Sequence, residues 1–424
     1  MLPGRFARAN PAAAVALSLL ILLASSVSCD DEKENNPDPA DDLAPGPMDD
    51  IELHALMPEN IEAEGREPED EGRFIFPLGK RIQKSFQNRL RRLRDRTQNL
   101  QDILLLGNTT KADPRSCIRR KADSICPDSD MLFYFYPSDM KASRVKMFEP
   151  PSDFNANTLK NYGWDPVLSD VVLVHGYMGG DGKVPMSVLR DAYRDNGNYN
   201  VFVLDWGALA KAPCYTAAVN NLRPVARCLA HLFGSLVHLR GRSDQSMCVG
   251  HSLGAHVCGL TSNFLGYPLY RIIALDPARP LVHSLPGVGK LDARDAHSVV
   301  VLHTNAGFYG ESGRIGDVDF CINGGRSQPF CANSSNEALC SHLRSVCYLA
   351  ESLNADNARH AVPCARRCPT GARPGKRPGE PLAMGMHTPM GVSGSFCLSN
   401  SDPPYCPSTA RSNGKGDKRC CILK

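Results

Sequence analysis

One stretch decides the fold: MCVGHSLGAHV, residues 247–257. It reads as a short apolar strand that passes through Gly-x-Ser-x-Gly into a helix start rich in small residues, a pattern typical of a turn that exposes a nucleophilic serine. Gly250 and Gly254 lack side chains, which should allow the backbone of such a turn to tolerate strain. The unpaired amide of Leu253, at the helix start, could stabilise an oxyanion. We therefore predict Ser252 as a catalytic nucleophile.

Apolar strands and helical segments alternate around this turn. An aromatic strand is expected at residues 132–136, and buried strands are expected at 171–174, 200–205 and 271–275. The strand at 171–174 leads into a glycine-rich loop, and residues 217–240 carry a helical pattern. Strands that alternate with helices predict an α/β fold with a mostly parallel central sheet. Catalytic side chains should then lie at the carboxyl ends of the strands.

A nucleophilic serine needs a base, and the base needs an orienting carboxylate. In chains with the α/β-hydrolase fold, the acid follows the serine and the histidine comes last. Asp276 comes directly after the strand at 271–275 and is predicted as the acid. His342, at a helix start beside a cysteine, is predicted as the base. The spacing leaves other candidates open: Asp292 and Asp295 for the acid, and His297, His303, His360 and His387 for the base.

Length and charge exclude several classes of protein. A chain of 424 residues with 42% hydrophobic positions can bury a large core, in one big domain or two ordinary ones. The net charge of +3 argues against a nucleic-acid partner. No histidine-rich stretch has the ligand spacing of a metal hydrolase.

The N-terminus has the features of an export signal. Two arginines precede an apolar run that ends in small residues, which predicts a signal peptide at residues 1–29 and a secreted, extracellular mature protein. Seventeen cysteines fit an oxidising compartment, and cleavage after Cys29 would leave sixteen that could all pair. Sequons at Asn108 and Asn333 could carry glycans there.

The charge of the chain changes sign after this signal. Residues 30–72 carry 17 acidic and two basic side chains, whereas residues 73–98 carry nine basic side chains and one acidic. The acidic run has too few large apolar residues to offset the conformational entropy that it would lose on folding. It is therefore expected to be disordered. The basic run could form an amphipathic helix on an anionic lipid surface, fold back on the acidic run, or remain a solvated helix. A dibasic site makes residues 30–92 a candidate propeptide, followed by a linker at 93–116.

Seven segments together resemble the pancreatic lipase family and run in that family's order across residues 117–406, which leaves a tail at 407–424. They are VHGY at 174–177, DW at 205–206, GHSLGAH at 250–256, LDPA at 275–278, DF at 319–320, NGG at 323–325 and CSHLRS at 340–345. The resemblance implies an α/β-hydrolase fold with Ser252, Asp276 and His342 as the catalytic triad. It also implies that the amides of Tyr177 and Leu253 form the oxyanion hole.

Three departures from the family pattern bear on the substrate. Cys331 and Cys340 match the bonded pair that encloses a long lid in triglyceride lipases, but here they enclose only eight residues. The loop between His303 and Asp319 is also shortened, and no length remains for the C-terminal lipid-binding sandwich of the triglyceride lipases. The three features together resemble the secreted phospholipase A1 branch of the family and its insect relatives.

The resemblance therefore implies a secreted enzyme that cleaves the sn-1 acyl ester of phospholipids during transient contact with a membrane or lipoprotein surface. A triacylglycerol lipase and a galactolipase remain alternatives, because loop lengths drift and some short-lidded relatives take other glycerides. The alternative from a different class is a non-catalytic lipid-binding protein similar to the yolk proteins. The serine, acid and histidine positions are all retained here, which favours an enzyme.

The resemblance also bears on metals and disulfides. Asp292 and Asp295 align with the family's structural calcium loop, in which backbone carbonyls complete the ligand set, although a solvated acidic turn is an equal alternative. The chemistry itself requires no cofactor. The family pattern implies a disulfide between Cys331 and Cys340. Closeness in sequence adds two candidate disulfides, Cys214–Cys228 and Cys248–Cys258.

Overall fold

A computed structural model describes residues 116–407 and Cys421, apart from residue 122 and the ranges 140–143, 148–155, 286–288, 365–367 and 370–378. The predicted signal peptide and the charged segment at 30–92 lie outside this part, as do nearly all of the linker at 93–116 and the tail at 407–424. These assignments stay predictions. None of the helices in the described ranges has the length and apolar character needed to cross a membrane.

Within the described residues, eleven strands form one sheet. They are β1 (Leu132–Tyr136), β2 (Val145–Met147), β3 (Ser169–Val174), β4 (Tyr199–Asp205), β5 (Ser246–His251), β6 (Arg271–Leu275), β7 (Val299–His303), β8 (Val318–Ile322), β9 (His360–Pro363), β10 (Leu382–Ala383) and β11 (Gly394–Leu398). Their order across the sheet is β10-β9-β11-β8-β7-β6-β5-β3-β4-β1-β2. The central strands from β11 to β4 run parallel, and antiparallel pairs complete both edges. The predicted α/β fold with a mostly parallel sheet is confirmed.

Helices cover both faces of this sheet. They are α1 (Ala156–Asn161), α2 (Met186–Asn196), α3 (Tyr215–Asn220), α4 (Leu222–Arg240), α5 (Leu253–Leu265) and α6 (Glu337–Ser352). Side chains of α3, α4 and α5 pack on one face, and those of α2 and α6 pack on the other. In β3, Val172 packs in the core formed with α3, α4 and α5, whereas Val171 packs in the core formed with α2 and α6. Successive side chains of a strand point to opposite faces of the sheet. This explains the continuous apolar run of the strand.

The predicted helix at 217–240 is interrupted in the structure. Buried Asn221 separates α3 from α4. Its side-chain amide donates to the carbonyl oxygens of Ile118 and Leu209, and its side-chain oxygen accepts from the amide of Arg120. The break therefore allows one buried polar side chain to bind both the N-terminal segment and the loop that follows β4.

The turn between β5 and α5 carries Ser252 at φ 58° and ψ −122°, a conformation that residues with side chains rarely adopt. The strain therefore lies at the serine itself, and the two glycines are needed for close approach. A Cβ on Gly254 would lie 2.2 Å from the carbonyl oxygen of Val174 in β3, and one on Gly250 would lie 2.3 Å from the carbonyl oxygen of Gly254. The first turn of α5 thus packs backbone against backbone on β3.

Disulfides link distant parts of the described chain. The predicted pairs Cys248–Cys258 and Cys331–Cys340 are confirmed. The predicted pair Cys214–Cys228 is wrong, because the segment before β1 supplies the partner of each, at sequence separations of 97 and 102 residues. An argument from closeness in sequence cannot find such partners. The bonds among described cysteines are 117–214, 126–228, 248–258, 321–368, 331–340, 347–421 and 364–397.

The substitution Gly254→Ala tests the packing of α5 on β3. It should lower the free energy of unfolding by about 3 kcal/mol, because the new methyl group meets a backbone carbonyl that cannot move aside. Thermal melts followed by circular dichroism would measure the effect. Gly234→Ala is the matched control, since a methyl group there has no neighbour within 4 Å, and it should stabilise α4 by up to about 1 kcal/mol. Equal melting temperatures for Gly254→Ala and the wild type would contradict the close approach.

Candidate active site

Asp276 is held in a buried set of hydrogen bonds just after β6. One carboxylate oxygen accepts from the amides of Thr304 and Asn305 at 2.9 and 3.0 Å, and the other lies 2.6 Å from Nδ1 of His342. Gly310 leaves room for this carboxylate, since a Cβ there would lie 2.5 Å from either oxygen. The negative charge is removed from water, but both of its oxygens are compensated.

His342 and Ser252 line the same cavity, which has a volume of about 200 Å³. His342 lies on α6, and because its Nδ1 contacts Asp276, its Nε2 is the ring nitrogen left for the serine. Among the described residues, Ser252 Oγ makes no hydrogen bond to His342. Such bonds are often long before substrate binds. The structure thus brings the three predicted residues together. The hydrogen bond between Asp276 and His342 is formed, and the one between His342 and Ser252 is not.

The alternative histidines lie outside this cavity. His297, His360 and His387 are exposed. His303 is buried, and its Nε2 lies 2.8 Å from the carboxylate of Asp319. Burial alone would lower the pKa of His303, but the hydrogen bond and the charge of Asp319 raise it. This second His–Asp pair fixes the end of β7, directly before the amides that bind Asp276.

Two backbone amides beside Ser252 donate to no described residue: those of Tyr177 and Leu253. Leu253 is the first residue of α5, so its amide precedes the intrahelical hydrogen bonds. Tyr177 lies in the loop after β3, and this loop passes close to the serine, since a Cβ on Gly176 would lie 2.5 Å from Cβ of Ser252. Unpaired amides are rare in proteins, and a pair of them beside a nucleophile can bind an oxyanion.

Three side chains hold the loop after β3 in place. Nδ1 of His175 lies 2.8 Å from the carbonyl oxygen of Gly176, and its Nε2 lies 3.2 Å from the carboxylate of Asp205. The indole of Trp206 donates to the carbonyl oxygen of His175 at 2.8 Å. Burial would raise the pKa of Asp205, but the contact with His175 and two backbone amides hold it well below its usual value.

The sequence did not predict this role for His175, Asp205 and Trp206, which carried only the family resemblance. A signal was present, because these residues lie at or directly after the ends of two predicted parallel strands, at 171–174 and 200–205. The carboxyl ends of neighbouring parallel strands meet at one edge of a sheet. Polar residues at both ends could therefore have been predicted to interact.

His251, the residue before Ser252, forms part of the wall against α6. Its Nε2 lies 3.3 Å from the carbonyl oxygen of His342, and the two rings lie 4.6 Å apart. Burial, with a smaller effect of the neighbouring imidazole of His342, lowers the pKa of His251 well below its ordinary value. Both effects favour the neutral form of the His251 ring.

Aromatic rings form another part of the cavity wall. Tyr177 packs edge-on against Tyr215 with ring centres 5.0 Å apart, and the hydroxyl of Tyr215 donates to the carbonyl oxygen of Pro280 at 3.0 Å. Burial raises the pKa of Tyr177 to about 12 and raises that of Tyr215 as well. Both phenols therefore remain neutral and serve as apolar wall rather than as acids or bases.

The last residues of the predicted lid, from Glu337 to Cys340, form the first turn of α6. Asn336 caps α6 by accepting from the amide of Leu339 at 2.9 Å. Leu339, His342 and Leu343 then line the cavity from one face of that helix. The Cys331–Cys340 disulfide ties this first turn down. Swinging the lid away would therefore also displace the histidine.

The predicted calcium ligands bind other partners. The carboxylate of Asp292 pairs with the guanidinium of Arg294, with Nη2 at 2.6 Å. Asp295 accepts from the amide of Asp292 at 2.7 Å and from the hydroxyl of Ser262 at 3.1 Å. Burial raises the pKa of Asp295 to about 6. With both carboxylates engaged in this way, the residues as placed do not fit a calcium ion.

Comparison with known proteins points to one family. Residues 131–368 match the family model described as Lipase. Lipase member H of Danio rerio is 35% identical over 242 residues, which cover 55% of this chain and 51% of that protein. Pancreatic triacylglycerol lipase of Oryctolagus cuniculus is 28% identical, with 52% and 56% covered, and phospholipase A1 of Vespula vulgaris is 32% identical, with 46% and 61% covered. The chain thus spans about half the length of most of these relatives.

The extent of the family match decides the assignment. It includes more than half of the 424 residues and runs from β1 to beyond α6, so it contains Ser252, Asp276 and His342. The fold agrees, since a mostly parallel sheet with a serine on the turn after β5 is the arrangement of the α/β-hydrolases. This chain belongs to the lipase family, the family of pancreatic lipase.

Proposed function

We propose that this protein is a phospholipase A1, a secreted serine hydrolase that cleaves the sn-1 acyl ester of phospholipids. The observation that carries the proposal is the buried pair of Asp276 and His342 in the cavity of Ser252, beside two unpaired amides. Family membership supports the coarser statement that the chain is a hydrolase of lipid esters.

In the proposed mechanism, His342 Nε2 removes the proton of Ser252 as Oγ attacks the ester carbonyl. The amides of Tyr177 and Leu253 donate to the oxyanion that forms, and Asp276 stabilises the imidazolium through Nδ1. The imidazolium gives its proton to the departing lysophospholipid oxygen. Water, deprotonated by the same histidine, then attacks the acyl-serine and releases the fatty acid. These steps need no cofactor.

The short segment between Cys331 and Cys340 supports a phospholipid substrate. Its last residues belong to α6, so it covers little of the cavity and leaves a charged head group free to approach. The relatives do not distinguish between a phospholipid and a triglyceride substrate, since one is named phospholipase A1 and another triacylglycerol lipase. Hydrolysis of neutral glycerides is the second candidate, and the largely apolar cavity wall favours it.

Secretion and a lipid surface as partner belong to the same proposal. The seven disulfides between described cysteines fit a protein that folds in an oxidising compartment, which supports the predicted signal peptide. The predicted glycan acceptor Asn333 is exposed, whereas Asn108 lies outside the described residues.

Ser252→Ala should lower ester turnover by a factor on the order of a million, because it removes the attacking oxygen. His342→Ala should be as damaging, and Asp276→Asn less so, since the carboxylate orients the imidazole without taking its proton. Release of fatty acid from phosphatidylcholine, together with a thermal melt of each variant, measures the effects. Ser235→Ala, on the surface of α4, is the matched control and should keep full activity. Near-normal turnover in folded Ser252→Ala would disprove the assignment.

Because the lid segment continues into α6 and is closed by a disulfide, we expect the enzyme to be active without interfacial activation. Turnover of a short-chain phospholipid should rise smoothly as its concentration passes the critical micelle concentration, because no flap has to open first. Replacing residues 332–339 by a flexible segment of about twenty residues should introduce a jump at that point. The segment would then be able to cover the cavity. A wild-type enzyme that jumps sharply at the interface and prefers long-chain triglyceride emulsions would contradict the proposal.

Calcium should have little effect on stability, because Arg294 occupies the carboxylate of Asp292. Unfolding temperatures in excess calcium chloride and in EDTA should agree within about 1 °C. The variant Arg294→Ala frees that carboxylate and tests whether the ion pair excludes the metal. A clear rise in the wild-type unfolding temperature with calcium would instead support the calcium loop that the family resemblance implies.

A further inference from the structure

One cation lies at the mouth of the cavity of Ser252. Among the residues that line this cavity, Lys183 is the one lysine, and no arginine or carboxylate side chain lines it. Its Nζ donates to the carbonyl oxygen of Met178 at 2.9 Å. Its stem crosses the glycine-rich loop, since a Cβ on Gly180 would lie 3.6 Å from Cδ of the lysine. The ammonium group is thus directed along the loop that carries the unpaired amide of Tyr177.

The ammonium group of Lys183 forms no ion pair with a carboxylate in the part of the chain that is described. The acidic side chains of this loop and of the end of the neighbouring strand β4, Asp181 and Asp205, bind other groups. Asp181 binds Arg144 and Arg190, and Asp205 binds His175. An exposed ammonium group with no ion-pair partner among the described residues can bind an anion at the edge of an apolar cavity.

Apolar side chains surround this cation at the rim. Val184, the next residue, is 42% exposed, and Leu281, on the loop after β6, is 39% exposed. β3 and β6 are the neighbours of β5 in the sheet, so these two loops stand on opposite sides of Ser252. The rim therefore presents apolar groups on both sides of the nucleophile, as a surface for lipid requires.

The backbone of Leu281 is held in a strained conformation. Its φ of 60° and ψ of −37°, with the amide of Val282 bonded to the carbonyl oxygen of Pro280 at 2.7 Å, form a γ-turn of the rare type. A bulky residue with positive φ costs free energy, and such strain is found mostly where function requires it. Here it keeps an apolar side chain in solvent at the rim.

We propose that Lys183 binds the phosphate of the substrate's head group while Val184 and Leu281 contact the acyl region of the lipid surface. This inference rests on the proposed phospholipase activity and names the residue that selects the substrate. A lysine with an apolar neighbour reaches from the acyl region to the phosphate level with its stem still covered. A triacylglycerol has no charge for the ammonium group, so Lys183 favours phospholipid over neutral glyceride.

A purely structural role for Lys183 makes a different prediction. If its bond to Met178 served only to hold the loop of Tyr177, loss of the lysine would lower kcat for every ester, because the oxyanion donor would be misplaced. If it binds phosphate, loss of the lysine raises KM for phospholipids and leaves neutral esters unaffected. The split between KM and kcat on two substrates separates the two roles.

The test compares monomeric dihexanoyl phosphatidylcholine with monomeric dihexanoylglycerol, which lacks the phosphate. For Lys183→Met we expect kcat/KM on the phospholipid to fall about tenfold through KM, with the neutral ester changed less than about twofold. Lys183→Glu should lose more, and Lys183→Arg should retain most of the activity. Lys160→Met, an exposed lysine on α1, is the matched control and should match the wild type on both substrates.

The outcomes distinguish this inference from the proposed function. Equal losses on both substrates would overturn it in favour of a loop-positioning role, and no loss on either would overturn it outright, while the phospholipase assignment would stand in both cases. A wild-type enzyme that cleaves only the neutral ester would overturn both. Loss confined to the phospholipid and restored by Lys183→Arg would support the inference.

Discussion

The contact between the first turn of α5 and β3 is the constraint on which the site depends. Gly254 packs against the carbonyl of Val174, and Gly176 passes over Cβ of Ser252, so no side chain separates Ser252 from the loop after β3. Hydrogen bonds of His175, Asp205 and Trp206 hold that loop in place. Packing therefore fixes the two unpaired amides in place, as the proposed oxyanion hole requires.

The second constraint on the site is that the buried carboxylate of Asp276 must be compensated by hydrogen bonds. An uncompensated carboxylate in the interior would cost several kcal/mol, and Asp276 avoids this cost through two amides at the end of β7 and through His342. Because the histidine is carried by α6, that helix must dock on the sheet for the charge to be satisfied. Disulfides at both Cys340 and Cys347 hold the helix there. The segment between Cys331 and Cys340 and the histidine are thus held by the same helix.

Much of this could be predicted from the sequence, and the misses have physical reasons. Local patterns located β1, β3, β4, β5 and β6, because buried parallel strands are continuous apolar runs. Local patterns could not show that Asn221 breaks a helix, or that Cys214 bonds to a segment 97 residues away, since both depend on tertiary contacts. Asp292, which the family resemblance implies as a calcium ligand, pairs with Arg294 two residues on, a contact that depends on how the side chains are placed in the turn.

The central claim is that Ser252 is activated by its surroundings, and covalent labelling tests it most directly. A fluorophosphonate probe reacts with a serine whose proton is removed and whose oxyanion is stabilised. We expect peptide mass spectrometry of the treated, natively folded protein to find one adduct, on Ser252, and to find it strongly reduced in His342→Ala. Absence of an adduct on Ser252, or equal labelling with and without His342, would contradict the account.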